Sequence, residues 1–170
     1  VSVHFVLGGA RSGKSHHAET LVMASGLQPV YLATGQAFDT EMEERIAHHQ
    51  ARRPAPWLTV EEPLDLAGAL RREAGEGRAL LVDCLTLWLS NLLLGEADIP
   101  AEAARLCETL RGPLPGFVVL VSNEVGLSIV PENKLARRFR DEAGRLHQQI
   151  AALADRVTFV AAGLPLPLKG

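Results

Sequence analysis

Apolar residues fall along this chain in two rhythms. Short, nearly unbroken apolar runs alternate with longer stretches in which apolar positions recur at helical spacing. The runs Val1–Leu7, Pro29–Thr34, Ala79–Cys84, Phe117–Val121 and Val157–Ala161 have the length and content of buried strands, and Trp57–Val60 reads as a further, shorter one. Between them the pattern predicts helices over His16–Ala24, from Asp39 to about Gln50, from Pro63 to about Glu73, and over Thr86–Leu94 and Ala101–Leu110. Asp39 would cap its helix, with Glu41, Glu43 and Glu44 near the positive end, and Pro63 would open the next. Leu135, Phe139, Leu146, Ile150 and Leu153 place one apolar face on a long helix near the end of the chain. The Pro-rich tail Leu164–Gly170 reads as a closing edge segment. Strands alternating with helices imply an α/β fold, with a mostly parallel sheet covered on both faces. Ligands of such sheets sit at the carboxyl ends of the strands.

Composition narrows this picture in a few respects. A chain of 170 residues with 47% hydrophobic content suits a single domain over residues 1–170, built on a sheet buried on both sides. A net charge of −3 argues against a general nucleic-acid binder, so no nucleic-acid partner is expected. Cys84 and Cys107 form neither a disulfide framework nor a metal-ligand spacing. The apolar stretch Leu80–Leu94 is interrupted by Asp83 and Asn91, so no membrane span is expected. No leader is visible ahead of the first strand, and a cytoplasmic location is the expectation.

Candidate chemistry begins at the end of the first strand. Gly8-Gly9-Ala10-Arg11-Ser12-Gly13-Lys14-Ser15 fits the phosphate-loop pattern G-x-x-x-x-G-K-[ST] at every fixed position. It lies between a strand and a helix, as the motif requires. Glycines let backbone N–H groups converge on phosphate oxygens, and the helix N-terminus adds partial positive charge. Lys14 would reach the β- and γ-phosphates, and the Ser15 hydroxyl would ligate Mg²⁺. Arg11 either faces the ligand or points to solvent. The alternative for the whole segment is a Gly-rich turn ending in a helix cap. The second signal is Leu80-Leu81-Val82-Asp83, an apolar strand ending in an acid. Asp83 would help hold Mg²⁺, or it would cap the helix that begins near Thr86. The third is His48-His49, with Arg45, Arg52 and Arg53 around it. These histidines belong either to a solvated helix face or to a site that handles phosphate. On a helical projection His49 lies with Met42 and Ile46, and His48 with Glu41, Glu44 and Arg45.

Longer stretches carry a resemblance. The phosphate loop, Tyr31-Leu-Ala-Thr34, Glu41-Met-Glu-Glu-Arg-Ile-Ala-His-His49, Asn123-Glu-Val-Gly126, Ile129-Val-Pro-Glu-Asn133 and Arg137-Arg-Phe-Arg-Asp141 occur in that order. Together they resemble the bifunctional adenosylcobinamide kinase/adenosylcobinamide-phosphate guanylyltransferase family of cobalamin biosynthesis. The resemblance spans nearly the whole chain. It implies a P-loop NTPase fold with a RecA-like sheet, a homotrimer, and two reactions. A nucleoside triphosphate, ATP or GTP, phosphorylates the aminopropanol hydroxyl of adenosylcobinamide. GTP then transfers GMP to that phosphate, giving adenosylcobinamide-GDP and pyrophosphate. Carried over, a histidine of the pair bears GMP covalently, with His49 the nucleophile and His48 the second candidate. Nucleotide contacts are implied for the phosphate loop, for Ala33, Thr34 and Gly35, for Gln50, Ala51, Arg52 and Arg53, and for Glu61 and Asp83. The chain carries Asp83 where many relatives have Glu, which keeps the carboxylate and shortens its reach.

The residues are chemically suited to this. Guanylyl transfer through histidine divides one displacement into two in-line steps. Phosphoryl transfer needs mainly positioning and charge neutralisation, and the residues single out no base for it. Glu124, after the Phe117–Val121 strand, is placed either for substrate or metal contact or as a loop acid. A small-molecule kinase without guanylyl transfer would also need the phosphate loop and Asp83, but not His49. A regulatory GTPase would carry N-K-x-D, and Asn133-Lys134-Leu135-Ala136 lacks the acid. A non-catalytic nucleotide-binding module would have no need of Lys14, Ser15 and Asp83 together.

Overall fold

Residues 2–36, 40–51 and 53–170 are described by the structure, a computed structural model. The elements run β1 (Ser2–Gly8), α1 (Lys14–Ala24), β2 (Gln28–Ala33), α2 (Thr40–Ala51), β3 (Leu58–Glu61), α3 (Leu66–Glu73), β4 (Arg78–Asp83), α4 (Leu85–Leu94), α5 (Ile99–Arg111), β5 (Phe117–Asn123), α6 (Lys134–Leu153), β6 (Arg156–Ala161) and β7 (Leu164–Lys169). They build one sheet of seven strands in the order β3-β2-β4-β5-β1-β6-β7. Every pairing is parallel except β6 with β7. The proline-rich tail is thus an edge strand, where Pro165 and Pro167 can lack N–H donors without breaking a central ladder.

Strand periodicity divides the core. On one face Val3, Phe5, Leu7, Val30, Leu32, Leu80, Val82, Val118 and Leu120 pack with residues of α3, α4, α5 and α6. On the other, Val6, Tyr31, Ala79, Leu81, Val119 and Val121 pack with Ala18 and Val22 of α1. Both faces are buried, which explains why these strands read as continuous apolar runs. The P-loop strand β1 lies beside β5, and β5 separates it from β4, which ends in Asp83. The expected α/β architecture with a mostly parallel sheet is therefore observed.

Several element boundaries differ from the sequence expectation for identifiable reasons. Helix α3 begins at Leu66 and not at Pro63, because the Asp65 side chain accepts from Gly68 N at 3.1 Å and caps the helix there. Glu62 Oε2 accepts from Asp65 N at 3.1 Å, so Pro63 sits in a turn. Helix α5 starts earlier than Ala101, at Ile99, because Asp98 caps it and Pro100 fits its first turn. Asn133 caps α6 by accepting from Leu135 N and Ala136 N. Leu135 itself is 49% exposed, so the buried face of α6 is set by Ala143, Leu146, His147 and Ile150.

His147 is the polar member of that face. Its Nε2 is 2.7 Å from Ser122 Oγ, and its ring lies 5.7 Å from that of Phe5. Burial holds its pKa below the ordinary histidine value, against an opposing pull from Glu124. A depressed imidazole pKa means that the unfolded chain binds the proton more readily. Stability is then complete above the unfolded value of 6.5 and falls as pH drops through 6.5 toward the folded value. Melting temperature should decline between about pH 7.5 and 5.5, and His147→Gln should flatten the decline. Part of the slope should persist, because burial also depresses His4 and His17. Identical slopes in the two proteins would show that His147 does not carry it.

Candidate active site

The phosphate loop forms where β1 hands over to α1. Gly8 ends the strand in a close fit, since a Cβ there would stand 2.7 Å from Val160 O. Gly13 adopts φ +91°, which only glycine takes readily, and Lys14 and Ser15 open the helix. Arg11, at φ +53°, is exposed. Lys14 is buried, and its Nζ donates to Gly9 O at 3.1 Å, so the ammonium lies inside the loop. The Ser12 hydroxyl is buried without a hydrogen-bond partner among the described residues. Buried hydroxyls are normally paired, and a phosphate oxygen is a partner of the right chemistry for it.

Two further segments grip the loop. Gly163 N donates to Ser12 O at 2.7 Å, and Glu124 N donates to Gly8 O at 2.8 Å. Gly163 belongs to the β6–β7 turn, in which Ala162 and Gly163 have φ of 51° and 75°. Two successive positive φ values between antiparallel strands suit a tight hairpin turn. Sequence reasoning missed this support; the available signal was an Ala-Gly pair between two apolar runs. Glu124 Oε1 also accepts from Gly126 N at 2.7 Å, so its carboxylate is oriented by its own loop.

On the neighbouring strands, Ala33, Glu61 and Asp83 stand in register at the carboxyl ends of β2, β3 and β4. Asp83 does not cap the following helix: Cys84 holds the N-cap position, with no side-chain capping bond. Instead Asp83 Oδ2 accepts from the Tyr31 hydroxyl at 2.8 Å. Burial, and then the adjacent Asp83 charge, hold the Tyr31 phenol protonated far above its usual range. The same two causes push the Cys84 thiol up to about 11, so it is not a nucleophile at neutral pH. Asn123, at the end of β5, donates from Nδ2 to Thr86 Oγ1 at 3.0 Å and lies in register with Gly8.

The remaining expected nucleotide contacts divide by burial. Thr34 is fully buried, and its hydroxyl donates to Cys84 O at 2.7 Å while accepting from Cys84 N at 2.9 Å. Its side chain therefore joins β2 to β4 and turns no group outward. Gly35 is half-buried beside it, and Ala51 and Glu61 are exposed. The Arg53 side chain is 1% exposed, paired with Glu19 of α1 and stacked over the Tyr31 ring at 3.7 Å. Sequence reasoning placed Arg53 among the nucleotide contacts and did not foresee these partners. Arg52, the capping role given to Asp39, and the side chains of His49, Gln50, Met42 and Ile46 lie outside the described residues. His48, on the same helix α2, is exposed.

A carboxylate from Asp83 and a hydroxyl from Ser15 are hard oxygen donors that fit Mg²⁺ in the presence of phosphate oxygens. Among the described residues no group of three or more His, Cys, Asp or Glu side chains forms a metal cage, and no helix is long and apolar enough to cross a membrane.

Comparison with known proteins points the same way. The family model described as cobinamide kinase / cobinamide phosphate guanyltransferase matches residues 4–168. The chain is 60% identical over 167 residues to the bifunctional adenosylcobalamin biosynthesis protein CobP of Pseudomonas aeruginosa, covering 97% of this chain and 96% of that one. It is 42% identical to the bifunctional adenosylcobalamin biosynthesis protein CobU of Escherichia coli, over 96% of this chain and 98% of the relative. Among solved structures it is similar to the flagellar accessory protein FlaH of Methanocaldococcus jannaschii, with a TM-score of 0.54 at 12% identity, over 99% of this chain and 78% of FlaH. It is also similar to the RadB recombinase, with a TM-score of 0.52 at 15% identity, over 93% and 73% of the two chains. Those two likenesses concern the fold alone, a P-loop, RecA-like sheet.

Proposed function

Because this chain belongs to the cobinamide kinase / cobinamide phosphate guanyltransferase family, we propose that one phosphate loop serves both of its reactions and that His49 carries the nucleotide between them. The protein is a bifunctional enzyme of cobalamin synthesis: it phosphorylates cobinamide and then guanylylates the cobinamide phosphate. The observation that carries the assignment of the site is the Lys14 ammonium inside the loop, with the Asp83 carboxylate at the same carboxyl end of the sheet, on β4, which β5 separates from β1.

In the first reaction the phosphate donor, ATP or GTP, lies along residues 8–15, and adenosylcobinamide presents its hydroxyl to the γ-phosphorus. Backbone N–H groups and Lys14 bind the developing charge, and the loop fixes the line of approach. Ser15 and Asp83 would hold Mg²⁺, which supplies further neutralisation of phosphate charge. In the second reaction a neutral imidazole nitrogen of His49 attacks the α-phosphorus of GTP. A nitrogen–phosphorus bond forms, the bond to the bridging oxygen breaks, pyrophosphate departs, and the imidazole proton goes to solvent. A phosphate oxygen of adenosylcobinamide phosphate then displaces the imidazole, which regains a proton as it leaves. Glycine backbone at residues 8, 9 and 13, with Ala10, Arg11 and Ser12, forms the cradle; Ala33, Gly35, Gln50, Ala51, Arg52 and Glu61 complete the nucleotide surround. The active enzyme is a homotrimer in the cytoplasm.

Chromatography of the products tests this reading. With ATP, Mg²⁺ and adenosylcobinamide the protein should make the phosphate; addition of GTP should convert it to the GDP-linked corrinoid with release of pyrophosphate. Arrest at the phosphate would leave a simple kinase.

Asp83→Asn keeps the side-chain shape and removes its charge. The Mg²⁺ concentration at half-maximal rate should rise severalfold in both reactions, with recovery at high Mg²⁺. Superimposable Mg²⁺ titrations for the two proteins would remove Asp83 from the metal site.

A further inference from the structure

One cluster on the α1 face of the sheet reaches the Asp83 carboxylate through side chains that take no part in the steps above. Tyr31 is 4% exposed, packed among apolar residues of β4, β5 and α1. Its hydroxyl donates to Asp83 Oδ2 at 2.8 Å, the Arg53 guanidinium lies over its ring at 3.7 Å, and Trp57 meets that ring edge-on at 6.4 Å between centroids. Arg53 pairs in turn with Glu19 of α1. Four side chains from α1, β2, β4 and the segment after α2 thus form a continuous chain ending on the carboxylate assigned to the metal.

We infer that Tyr31 is a positioning residue with two separable duties: its hydroxyl fixes Asp83 for metal binding, and its ring, through Arg53, fixes the end of the helix that bears His49. The inference rests on the assignment of Asp83 and His49 made above.

Packing alone does not call for these groups. A phenylalanine would fill the same apolar space at position 31, and a buried phenol is costly unless bonded. The bond it makes holds one oxygen of Asp83, Oδ2, and so fixes the carboxylate at the end of β4. A buried guanidinium is likewise expensive and is offset here by Glu19 and the ring. What the arrangement supplies is a fixed relation between elements. Arg53 follows the last residue of α2, Ala51, by two positions. Two residues of chain span at most about 7 Å, so the C-terminal end of α2 stays close to α1 while the pair is intact. His49 lies two residues before that end, less than one helical turn away.

Three variants separate the duties. Mn²⁺ serves as the metal probe, its binding counted by the loss of free-ion electron paramagnetic resonance in the presence of a GTP analogue with a methylene between the α- and β-phosphorus. Covalent labelling by α-labelled GTP reads the position of His49. Tyr31→Phe should weaken Mn²⁺ binding by roughly tenfold, the scale of one hydrogen bond to a charged group, and should label at a near wild-type rate once Mn²⁺ is saturating. Tyr31→Leu should weaken Mn²⁺ to the same degree and still label at least tenfold slowly at saturating Mn²⁺. Glu19→Gln should bind Mn²⁺ as the wild type does, yet label slowly. A general loss of structure would not produce this split. Wild-type Mn²⁺ affinity in Tyr31→Phe overturns the first duty. Wild-type labelling at saturating metal in Tyr31→Leu, or in Glu19→Gln where Tyr31→Leu fails to fold, overturns the second. Failure of the wild type itself to label would overturn the covalent mechanism instead, and the Mn²⁺ arm would still decide the hydroxyl's role.

Discussion

Lys14→Ala should slow phosphorylation and guanylyl transfer together, each by a factor on the order of 10²–10³. The reason is that a single ammonium faces the same triphosphate in both reactions. Lys14 is buried in the loop, bonded to Gly9 O, at the first position of α1. A charge held there needs no rearrangement as charge develops on the phosphate oxygens, and preorganised donors of this kind contribute about 3–4 kcal/mol to the transition state. The effect should appear in kcat as well as kcat/KM, because the interaction strengthens as the bond to the leaving group breaks. The fold should survive, since the side chain's bonding is confined to the loop itself. Steady-state rates of both half-reactions, with a melting curve as control, check the prediction. Wild-type rates for either reaction in folded protein would remove Lys14 from that reaction.

His49→Ala should abolish guanylyl transfer and leave phosphorylation of adenosylcobinamide largely in place. The asymmetry follows from the chemistry. Phosphoryl transfer from the loop to a hydroxyl requires no covalent nucleotide, whereas the two-step transfer of GMP has no nucleophile without the imidazole. His48→Ala should keep both activities, because successive residues on a helix are turned away from one another. The two half-reactions, assayed separately in each variant, distinguish the neighbours. Loss of guanylyl transfer in His48→Ala with retention in His49→Ala would reassign the nucleophile to His48.

Much of the sheet was legible because both of its faces are buried. A strand sealed on both sides must be apolar throughout, as Ala79–Val82 and Val118–Val121 are, and such runs stand out at once. The phosphate loop was legible for a different reason: its backbone geometry restricts it to glycine at the positions that turn inward. Helix starts were harder. Pro63 reads as a helix opening, but the helix starts at Leu66 because the Asp65 side chain accepts from Gly68 N, a bond that spacing alone does not reveal. The apolar residue Leu135 could not be told from a core residue by spacing, because whether α6 has a partner at that turn is a tertiary matter.

The site was legible to the extent that a single segment specifies it. Residues 8–15 needed no long-range information. Asp83 could be read as a cap or as a metal ligand, and only the placement of Tyr31 on the adjacent strand, on the same face, settled that it caps nothing. Arg53 and Thr34 show the opposite case. Their nucleotide contacts are implied by the family resemblance alone, and what no single segment specifies is that the Thr34 hydroxyl bridges two strands and that the Arg53 guanidinium pairs with a helix residue and stacks on a ring. Those partners are 50 and 34 residues distant in sequence for the Thr34–Cys84 and Arg53–Glu19 contacts. No local pattern announces them.

The central claim is that His49 carries GMP. It is tested most directly by incubating the protein with GTP and Mg²⁺, without corrinoid, and measuring intact mass followed by peptide mapping under mildly alkaline conditions. The account predicts a gain of one GMP moiety per chain on His49, matched by one pyrophosphate released. The adduct should be lost in acid, because protonation turns the imidazole into a good leaving group, and lost on adding adenosylcobinamide phosphate as the GDP-linked product appears. A chain that makes that product while its mass never changes, or whose GMP is found on a residue other than His49, would contradict it.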